Sequence, residues 1–284
     1  MPEKLTVKVY TPHSSIKNLS ALIGDIFNSL KNANQLGYTL AQRDIKSQYR
    51  QSFLGILWAF INPVFNTILW IFLTGSGIIQ VSNTSIPYPL YVFIGTMLWG
   101  VFTESVVAPI NQTNSLKGIL TKINFPQEAI IISAVYQIFF NSIIKVGLVL
   151  VAVLSMGIYP DWHILLFPLG LLVIIFTGIA IGLMLTPIGV LYGDITRGLP
   201  LVLQMAMYVT PIVFPMPQNG SVAGLFKANP FTPLFINTRN WITGQGSVDI
   251  LSFIIVAVVF LFLLFIAIII FRIAMPILVE RMSS

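Results

Sequence analysis

Six long apolar segments dominate the sequence, and they leave a lipid bilayer as the solvent in which most of the chain can fold. They run approximately over residues 53–73, 88–110, 129–155, 164–191, 199–217 and 250–275. A bilayer core of about 30 Å requires roughly 20 apolar residues in helical conformation. Charged residues make up 8% of the chain, against about 25% in soluble domains. We therefore predict an all-α membrane protein with six transmembrane helices.

The distribution of lysine and arginine predicts the orientation of these helices, because cytoplasmic loops carry an excess of both residues. On the opposite face we place only Lys227 and Arg239, and Lys145 falls inside the third segment. The other twelve lie on one face of the predicted topology: Lys4, Lys8, Lys17, Lys31, Arg43, Lys46, Arg50, Lys117, Lys122, Arg197, Arg272 and Arg281. Both termini are thus expected in the cytoplasm.

This topology divides the chain into three parts. Residues 1–52 form a cytoplasmic arm, residues 53–275 the six-span domain and residues 276–284 a cytoplasmic tail. The arm lacks the continuous apolar core of a cleavable signal peptide. Within the arm, apolar residues recur at helical spacing, and this pattern predicts an amphipathic helix with one apolar face. The apolar residues are Ile16, Leu19, Leu22, Ile23, Ile26, Phe27 and Leu30. Such a helix lies in the membrane interface or packs against a soluble partner.

Two of the predicted loops contain patterned apolar residues. In the cytoplasmic loop 111–129, the positions of Leu116, Ile119, Leu120 and Ile123 fit one face of a short helix, which Phe125-Pro126 closes. It serves either as a docking element or as an ordinary connection. The outer loop 218–249 is dense in aromatic residues and predicts short helices that return to the membrane interface rather than a free loop. These aromatics are Phe226, Phe231, Phe235 and Trp241.

The sequence carries none of the motifs that would predict catalysis or nucleotide binding on this chain. It has no G-x-x-x-x-G-K-[ST] phosphate loop, no G-x-S-x-G motif, no clustered metal ligands and no cysteine. We predict no catalytic residue, metal or cofactor, and no nucleic-acid partner. Within the spans, Glu104 and Lys145 lie at estimated depths of about 9 Å and about 24 Å. A direct ion pair between them is not expected.

Two spacings within the spans predict helix surfaces. Trp58, Phe65 and Phe72 recur every seven residues and place three large aromatics on one side of the first span. They face lipid or another helix, or else form the wall of a pore. Glycines at 178 and 182, and again at 189 and 193, have the small-xxx-small spacing that permits close helix contact. The spacing does not distinguish contact within one chain from contact between chains.

Several segments, taken in order, resemble the type-2 ABC exporter permeases of polysaccharides, in particular the O-antigen permeases of the Wzm type, with their teichoic-acid and capsule relatives. The resemblance covers most of residues 35–281. The segments are "RDIKSQYRQSFLGILWAFINP" from Arg43, Phe125-Pro126, "YGDITRGLPLVLQMAMYVTPIVFP" from Tyr192 and "NPFTPLFINTRNWITGQ" from Asn229. The first contains Arg43, Asp44, Ile45, Lys46, Tyr49, Arg50, Ser52, Leu54, Gly55, Leu57, Trp58 and Pro63 in the spacing typical of that family.

The resemblance implies a homodimeric channel in the bacterial inner membrane that exports a lipid-linked, O-antigen-like polysaccharide for lipopolysaccharide biosynthesis. Two separate ATPase subunits, which hold ATP and Mg²⁺, would complete a 2:2 complex. It also implies four groups of working residues. They are a coupling loop (Leu116, Lys117, Ile119, Leu120, Lys122 and Phe125), an interface junction (Arg43, Asp44, Lys46, Tyr49 and Arg50), a glycan path (Trp58, Phe65 and Phe72) and an outer gate (Phe226, Phe231, Phe235 and Trp241).

Three alternatives stay open at this point. A type-2 ABC exporter of a drug or small lipid would show few aromatics facing the pore. A membrane-embedded glycosyltransferase or acyltransferase would need acidic residues or histidines converging at one membrane face. An ion-coupled carrier would show an inverted repeat and ion ligands at the midplane.

Overall fold

The computed structural model describes residues 19–50, 57–78, 84–122, 126–216 and 221–283. Within these ranges the chain contains helices, turns and irregular connections, and no strand. The α-helices are α1 (Leu19–Arg50), α2 (Trp58–Gly75), α3 (Tyr88–Ser115), α4 (Lys117–Leu120), α5 (Glu128–Ser155), α6 (Phe167–Leu191), α7 (Gly193–Val209), α8 (Ser221–Ala228), α9 (Phe231–Ile242) and α10 (Ile250–Ser283). A 3-10 helix (Trp162–Leu166) leads directly into α6.

Four helical stretches in the described part of the chain are long and apolar enough to cross a membrane. They are α3, α5, α10 and the continuous segment formed by the 3-10 helix and α6. The apolar part of α2 is shorter, Pro63–Gly75, and α7 has 17 residues. Each of the six predicted segments therefore contains a helix, and four of them satisfy the length and composition expected of a span.

The helix in the fifth segment does not have the bounds of the predicted span, 199–217. The helix α7 begins at Gly193, after the extended residue Tyr192, and ends at Val209. Thr210 has φ −109° and ψ 143°. It precedes Pro211, whose ring disfavours helical backbone in the residue before it. The apolar run continues past this point, but the proline has already ended the helix.

The core is organised around α3, the most buried of the four candidate spans. Its most extensive partner is α6. A Cβ atom added to Gly178 would lie 2.5 Å from the Cβ of Ser105 and 2.9 Å from the carbonyl oxygen of Phe102. At Gly182 an added Cβ would collide with the carbonyl oxygen of Val106. The Gly178 and Gly182 spacing therefore serves contact within one chain.

The helices α5 and α10 complete this bundle from outside. The helix α5 packs against α3, and α10 packs against α6. Of the four candidate spans, α10 is the least buried. It continues to Ser283, eight residues beyond the end predicted for its span. The bundle thus presents much of α5 and α10 on its outer surface.

The helix α1 is longer than the predicted amphipathic helix and reaches the end of the charged run at Arg50. Of the seven residues that defined the amphipathic stripe, Ile16 lies outside the described residues and only the Leu30 side chain is described. The buried contact of α1 lies further along, at Ala33, Gly37, Leu40 and Ala41. The small residues among them, Ala33, Gly37 and Ala41, allow α1 to approach α5 closely, and a Cβ at Gly37 would collide with Ile132.

Candidate functional site

The short helix α4 sits at the end of the bundle where α3 finishes and α5 is about to begin. Leu116 and Leu120 are buried in an apolar cluster with Phe271 and Met275 of α10. Lys117 is exposed on the other side of the same turn. The element is thus held firmly by two leucines while it presents a basic, polar surface outward.

The rest of the predicted coupling loop is divided between surface and interior. Ile119 is half-buried, and Lys122 is exposed. Phe125 and Ile123 lie outside the described residues. The predicted helical face is thus represented by Leu116, Ile119 and Leu120, and its assignment to coupling stays a prediction.

A cluster of polar side chains ties α1 to the same end of the bundle. The Nε2 of Gln112 donates to the Oδ2 of Asp44 at 2.8 Å and to the Oγ of Ser133 at 2.9 Å. The Nε2 of Gln137 donates to the Oδ2 of Asp44 at 3.2 Å and to the Oε1 of Gln112 at 3.1 Å. Arg43 pairs with the other carboxylate oxygen of Asp44 at 2.7 Å. We call Asp44, Gln112, Ser133 and Gln137 the amide cluster.

The amide cluster joins three helices at one carboxylate. Gln112 lies on the last turns of α3, three residues before Ser115 and close to α4, and it is 5% exposed. Ser133 and Gln137 lie on α5. Hydrogen bonds to a carboxylate are stronger than those between neutral groups. The charge on Asp44 therefore links α1 to the turn of α3 that leads into α4.

The other predicted junction residues lie outside this cluster. Lys46 and Arg50 are exposed on α1. The side chain of Tyr49 lies outside the described residues. Among the junction residues whose side chains the structure describes, Asp44 bonds to Gln112 and Gln137, and Arg43 joins it through an ion pair.

A second polar cluster lies inside the bundle between α3 and α5. The Nζ of Lys145 is 2.6 Å from the Oε2 of Glu104, and Asn141 donates to the Oε1 of Glu104. The expectation that this pair would not meet was wrong. The helix α3 extends five residues beyond its predicted end, to Ser115, which places Glu104 about 16 Å from that end. The long lysine side chain covers the remaining difference in depth.

The aromatic stripe of α2 faces outward in the single chain. Trp58 is 49% exposed, Phe65 69% and Phe72 64%. Between them, Thr67 and Trp70 are buried against the bundle. The stripe is therefore not part of the chain's own core, and the assignment to a glycan path stays a prediction.

The aromatic residues of the predicted outer gate are mostly buried, in contrast to the exposed stripe of α2. Phe235 and Trp241 of α9 are 0% and 1% exposed, and Phe226 of α8 is also buried. Phe231 is half-buried, with its ring centre 5.0 Å from that of Phe102. Phe231 and Phe235 pack against Phe102 of α3. Trp241 packs against Phe253 of α10, so any gating movement of α9 would have to unpack these rings. Their assignment to the gate stays a prediction.

Arg239, on α9, is a buried residue that the sequence reasoning had counted only as a loop charge. It is 3% exposed, its guanidinium carbon lies 3.7 Å from the centre of the Tyr91 ring, and it donates to the Pro211 carbonyl. Tyr91 Oη also donates to the Pro211 carbonyl, at 3.1 Å. No acidic side chain of the described residues forms an ion pair with it. Arg239 thus fastens α9 to the turn after α7.

The amide cluster was likewise missed by sequence reasoning. Asp44 was noticed as part of the charged run, but Gln112, Ser133 and Gln137 are polar residues without a recognisable motif. One usable signal existed: Ser133 and Gln137 are four residues apart, so both lie on one face of an otherwise apolar helix. A polar pair on one face of a span is expected to find a partner inside the protein.

The chemistry of the described residues is that of packing and ion pairing. They contain no group of three or more residues suited to hold a metal ion. Outside the spans, the Asp161 carboxylate accepts from the backbone N–H of His163 at 2.8 Å. This bond, and the hydrogen bond to the His163 ring, hold the pKa of Asp161 below its ordinary value.

Comparison with known proteins gives one family and several relatives. The family described as ABC-2 type transporter matches residues 35–242. The chain is 30% identical over 200 residues to an O-antigen export system permease protein RfbA of Myxococcus xanthus, which covers 69% of this chain and 75% of that protein. It is 22% identical over 226 residues to a protein of the same name from Klebsiella pneumoniae, which covers 75% and 84%.

Proposed function

This chain belongs to the ABC-2 type transporter family, and on that premise we propose that it exports a lipid-linked polysaccharide as one half of a homodimeric channel. The observation that carries the proposal is the similarity to O-antigen export permeases over more than two thirds of the chain. Four helices long and apolar enough to cross a membrane are consistent with this role. The membrane is the bacterial inner membrane, with both termini in the cytoplasm.

ATP hydrolysis takes place on a separate partner in this proposal. The sequence has no phosphate loop, so two ATPase subunits would join two copies of this chain and supply the ATP and Mg²⁺ sites. The helix α4 would receive their movement. Its support is geometric: Leu116 and Leu120 anchor it beside α10, while Lys117 is free to contact a partner surface. A displacement of α4 would be transmitted to α3, which precedes it directly in the chain, and to α10, against which its leucines pack.

The same proposal assigns the remaining parts of the chain. Six spans over residues 53–275 would form the membrane domain, with residues 1–52 as the arm and 276–284 as the tail. The exposed face of α2, at Phe65 and Phe72, would line the sugar path, since aromatic faces pack well against the apolar faces of other molecules. The segment of α8 and α9 would form the outer gate.

The test uses the full chain, co-expressed with its ABC-type ATPase and reconstituted in vesicles. We expect ATP-dependent movement of a lipid-linked glycan across the bilayer. Reversing the charge at Lys117 and Lys122 together should reduce the rate at least about tenfold, the effect of one lost ionic contact of about 1.4 kcal/mol. Arg197→Glu, an exposed reversal on α7 outside the coupling loop, is the matched control and should leave the rate unchanged.

The outcomes separate the proposal from its alternatives. Transport that proceeds without ATP would overturn the assignment to an ATP-driven exporter. ATPase activity that responds to a small lipid and not to a lipid-linked glycan would favour the exporter of drugs or small lipids. Full export by the Lys117 and Lys122 reversal would overturn the coupling role of α4 alone.

A further inference from the structure

The ion pair of Glu104 and Lys145 lies deep within two of the helices suited to cross the membrane. Glu104 is sixteen residues from the start of α3 and eleven from its end, and Lys145 is ten residues from the end of α5. The helical rise therefore places both residues at least about 15 Å from either end of their helices. The pair thus lies at the level of the hydrocarbon core and not at its surface.

The chain does not fully enclose this pair. The Lys145 side chain is 14% exposed and the Glu104 side chain 25% exposed. Ionisable residues inside membrane spans face the protein interior or a water-filled cavity, because contact with lipid is costly for them. The surface that the two groups share therefore faces water rather than lipid.

Open space adjoins the pair on the side of Gly100. Among the described residues, a Cβ atom on Gly100 would have only the end of the Lys145 side chain within 4 Å. Further along α3 and α5, Phe93 and Leu148 line a cavity of about 340 Å³ between these helices and α2. Gly100 follows Phe93 by seven residues and Lys145 precedes Leu148 by three, so the cavity and the pair lie on the same helix faces. A molecule beside the pair would contact apolar surface and polar groups together, as in ordinary ligand sites.

The pair offers hydrogen bonds of both kinds without a net charge. The Lys145 ammonium carries three donors, and within the described part of the chain its hydrogen bond is the one to Glu104. The Glu104 carboxylate has more acceptor sites than its bonds from Lys145 and Asn141 use. A hydroxyl group both donates and accepts, whereas an ion would meet a compensated charge. This chemistry favours a neutral ligand with several hydroxyl groups.

We propose that Glu104, Asn141 and Lys145 form a hydroxyl-binding site on a water-filled passage through the membrane domain. The inference rests on the proposed function, because the ligand is a sugar ring of the exported glycan. The Lys145 ammonium donates to one hydroxyl of the ring, and the Glu104 carboxylate accepts from another. The site therefore recognises the sugar part of the exported molecule and not its lipid.

A cysteine introduced beside the pair measures whether water reaches it, because the sequence contains no other. Gly100→Cys leaves the ion pair intact. Ile143→Cys is the matched control, since Ile143 is two residues from Lys145 and 69% exposed on another face of α5. The full chain with its ATPase is reconstituted in vesicles and treated with a charged, water-soluble methanethiosulfonate during ATP hydrolysis. We expect Gly100→Cys to react at least about tenfold faster than Ile143→Cys, because the reactive thiolate forms in water.

Protection of the same thiol identifies the ligand. The probe is maltoheptaose joined to a palmityl chain, a neutral glycolipid, and palmityl alcohol is its control. We expect the glycolipid to slow the labelling of Gly100→Cys and the alcohol to leave it unchanged. Adding Glu104→Leu and Lys145→Met should raise the half-protecting concentration about tenfold, the effect of one lost hydrogen bond to a charged group. Glu128→Leu with Arg272→Met, which removes another ion pair of α5, should leave that concentration unchanged.

Both apolar double variants are expected to fold, because replacing the two members of an ion pair by apolar residues is often neutral for stability. Unfolding in detergent micelles checks this. If the variant with Glu104→Leu and Lys145→Met does not fold, the comparison of glycolipid with alcohol in Gly100→Cys decides.

Four results would overturn the inference. Labelling of Gly100→Cys no faster than that of Ile143→Cys would place the pair away from water. Equal protection by palmityl alcohol would assign the space to an apolar chain. Unchanged protection in the folded variant with Glu104→Leu and Lys145→Met would make the pair a structural contact alone. A disulfide between two copies of Gly100→Cys would assign this surface to a contact between copies.

The proposed export is distinguished from this site by the same vesicles. Protection by the glycolipid without its ATP-dependent movement would contradict the export and leave the hydroxyl-binding site in place. ATP-dependent movement without protection would contradict the site and leave the export in place.

Discussion

The contact between α3 and α6 can be tested by adding a single methyl group. Gly178 and Gly182 lie on the face of α6 that meets α3. In Gly178→Ala, the new Cβ would lie 2.5 Å from the Cβ of Ser105, where ordinary contact begins at 3.4 Å. Ser105 Cβ is fixed directly to its backbone, so no side-chain rotation can make room. The two helices must separate by nearly the whole difference.

The expected cost follows from two opposing terms. Overpacking a close-packed core costs about 1–3 kcal/mol. Replacing glycine by alanine in a helix returns up to about 1 kcal/mol through helix propensity. Gly178→Ala should therefore destabilise the chain by about 0–2 kcal/mol, and by about 1–3 kcal/mol relative to a glycine-to-alanine change without the clash. Gly182→Ala should cost at least as much, because its Cβ meets the Val106 carbonyl oxygen, a backbone atom.

Gly147→Ala is the matched control. Gly147 lies within α5, is exposed, and has no atom within 4 Å of the position of an added Cβ. Only the propensity term applies there, so this variant should be as stable as the natural chain or up to about 1 kcal/mol more stable.

The assay is reversible unfolding in mixed micelles of mild detergent and dodecyl sulfate, followed by tryptophan fluorescence. Trp99 and Trp241 are both buried in the main core, so their emission reports its packing. Stability of Gly178→Ala and Gly182→Ala equal to or above that of Gly147→Ala would refute the close contact of α3 and α6.

Three further changes test the polar contacts. Glu104→Gln should destabilise the chain by about 2 kcal/mol, the scale of a hydrogen bond to a charged group, because Lys145 loses its partner at 2.6 Å. The double variant with Lys145→Met should cost less than the two single changes together. Strict additivity in the unfolding assay would argue against the pair. Gln112→Leu should speed amide hydrogen exchange in α1 and leave α10 unchanged, since it removes bonds from the amide cluster; equal protection of α1 would contradict that link. The pKa of Asp161 is lowered in the folded chain by the backbone N–H of His163, so its stabilising effect is present above the ordinary carboxyl pKa and is lost as the pH falls through the lower folded-state pKa. Asp161→Asn should therefore reduce the stability difference between about pH 6 and about pH 3, and an unchanged difference would show that the bond does not contribute.

The starts of two long helices followed from hydropathy alone. The predicted segments 88–110 and 129–155 begin within one residue of α3 and α5. The helix α7 ends at Val209, before the apolar run does, since Pro211 ends it through a backbone effect that hydropathy does not register. The helix α3 ends at Ser115, beyond the predicted apolar segment, because its last turns are polar. They stay helical since Gln112 and Thr113 are buried inside the protein.

In the candidate site, too, some contacts could be predicted from the sequence and others could not. Leu116 and Leu120 were predicted on one apolar face, because helical spacing alone shows it, and both are buried. The partners of Asp44 could not be predicted. They lie 68 and 93 positions away in sequence, and glutamine carries no spacing rule that would identify them. Arg239 was counted as a loop charge, since sequence does not show that its loop returns to the core.

Local chemistry in the sequence was sufficient for the class of the protein. Long apolar runs and basic loops predict helices in a bilayer, and the resemblance of several segments to polysaccharide exporters implies the family. Only the tertiary structure paired Glu104 with Lys145, placed Gly178 against Ser105 and joined Asp44 to α3 and α5. The physical reason is that the stability of a helix in lipid depends on the apolar composition of its own segment. Contacts between helices depend on crossing positions and side-chain reach, which arise only when distant segments pack together.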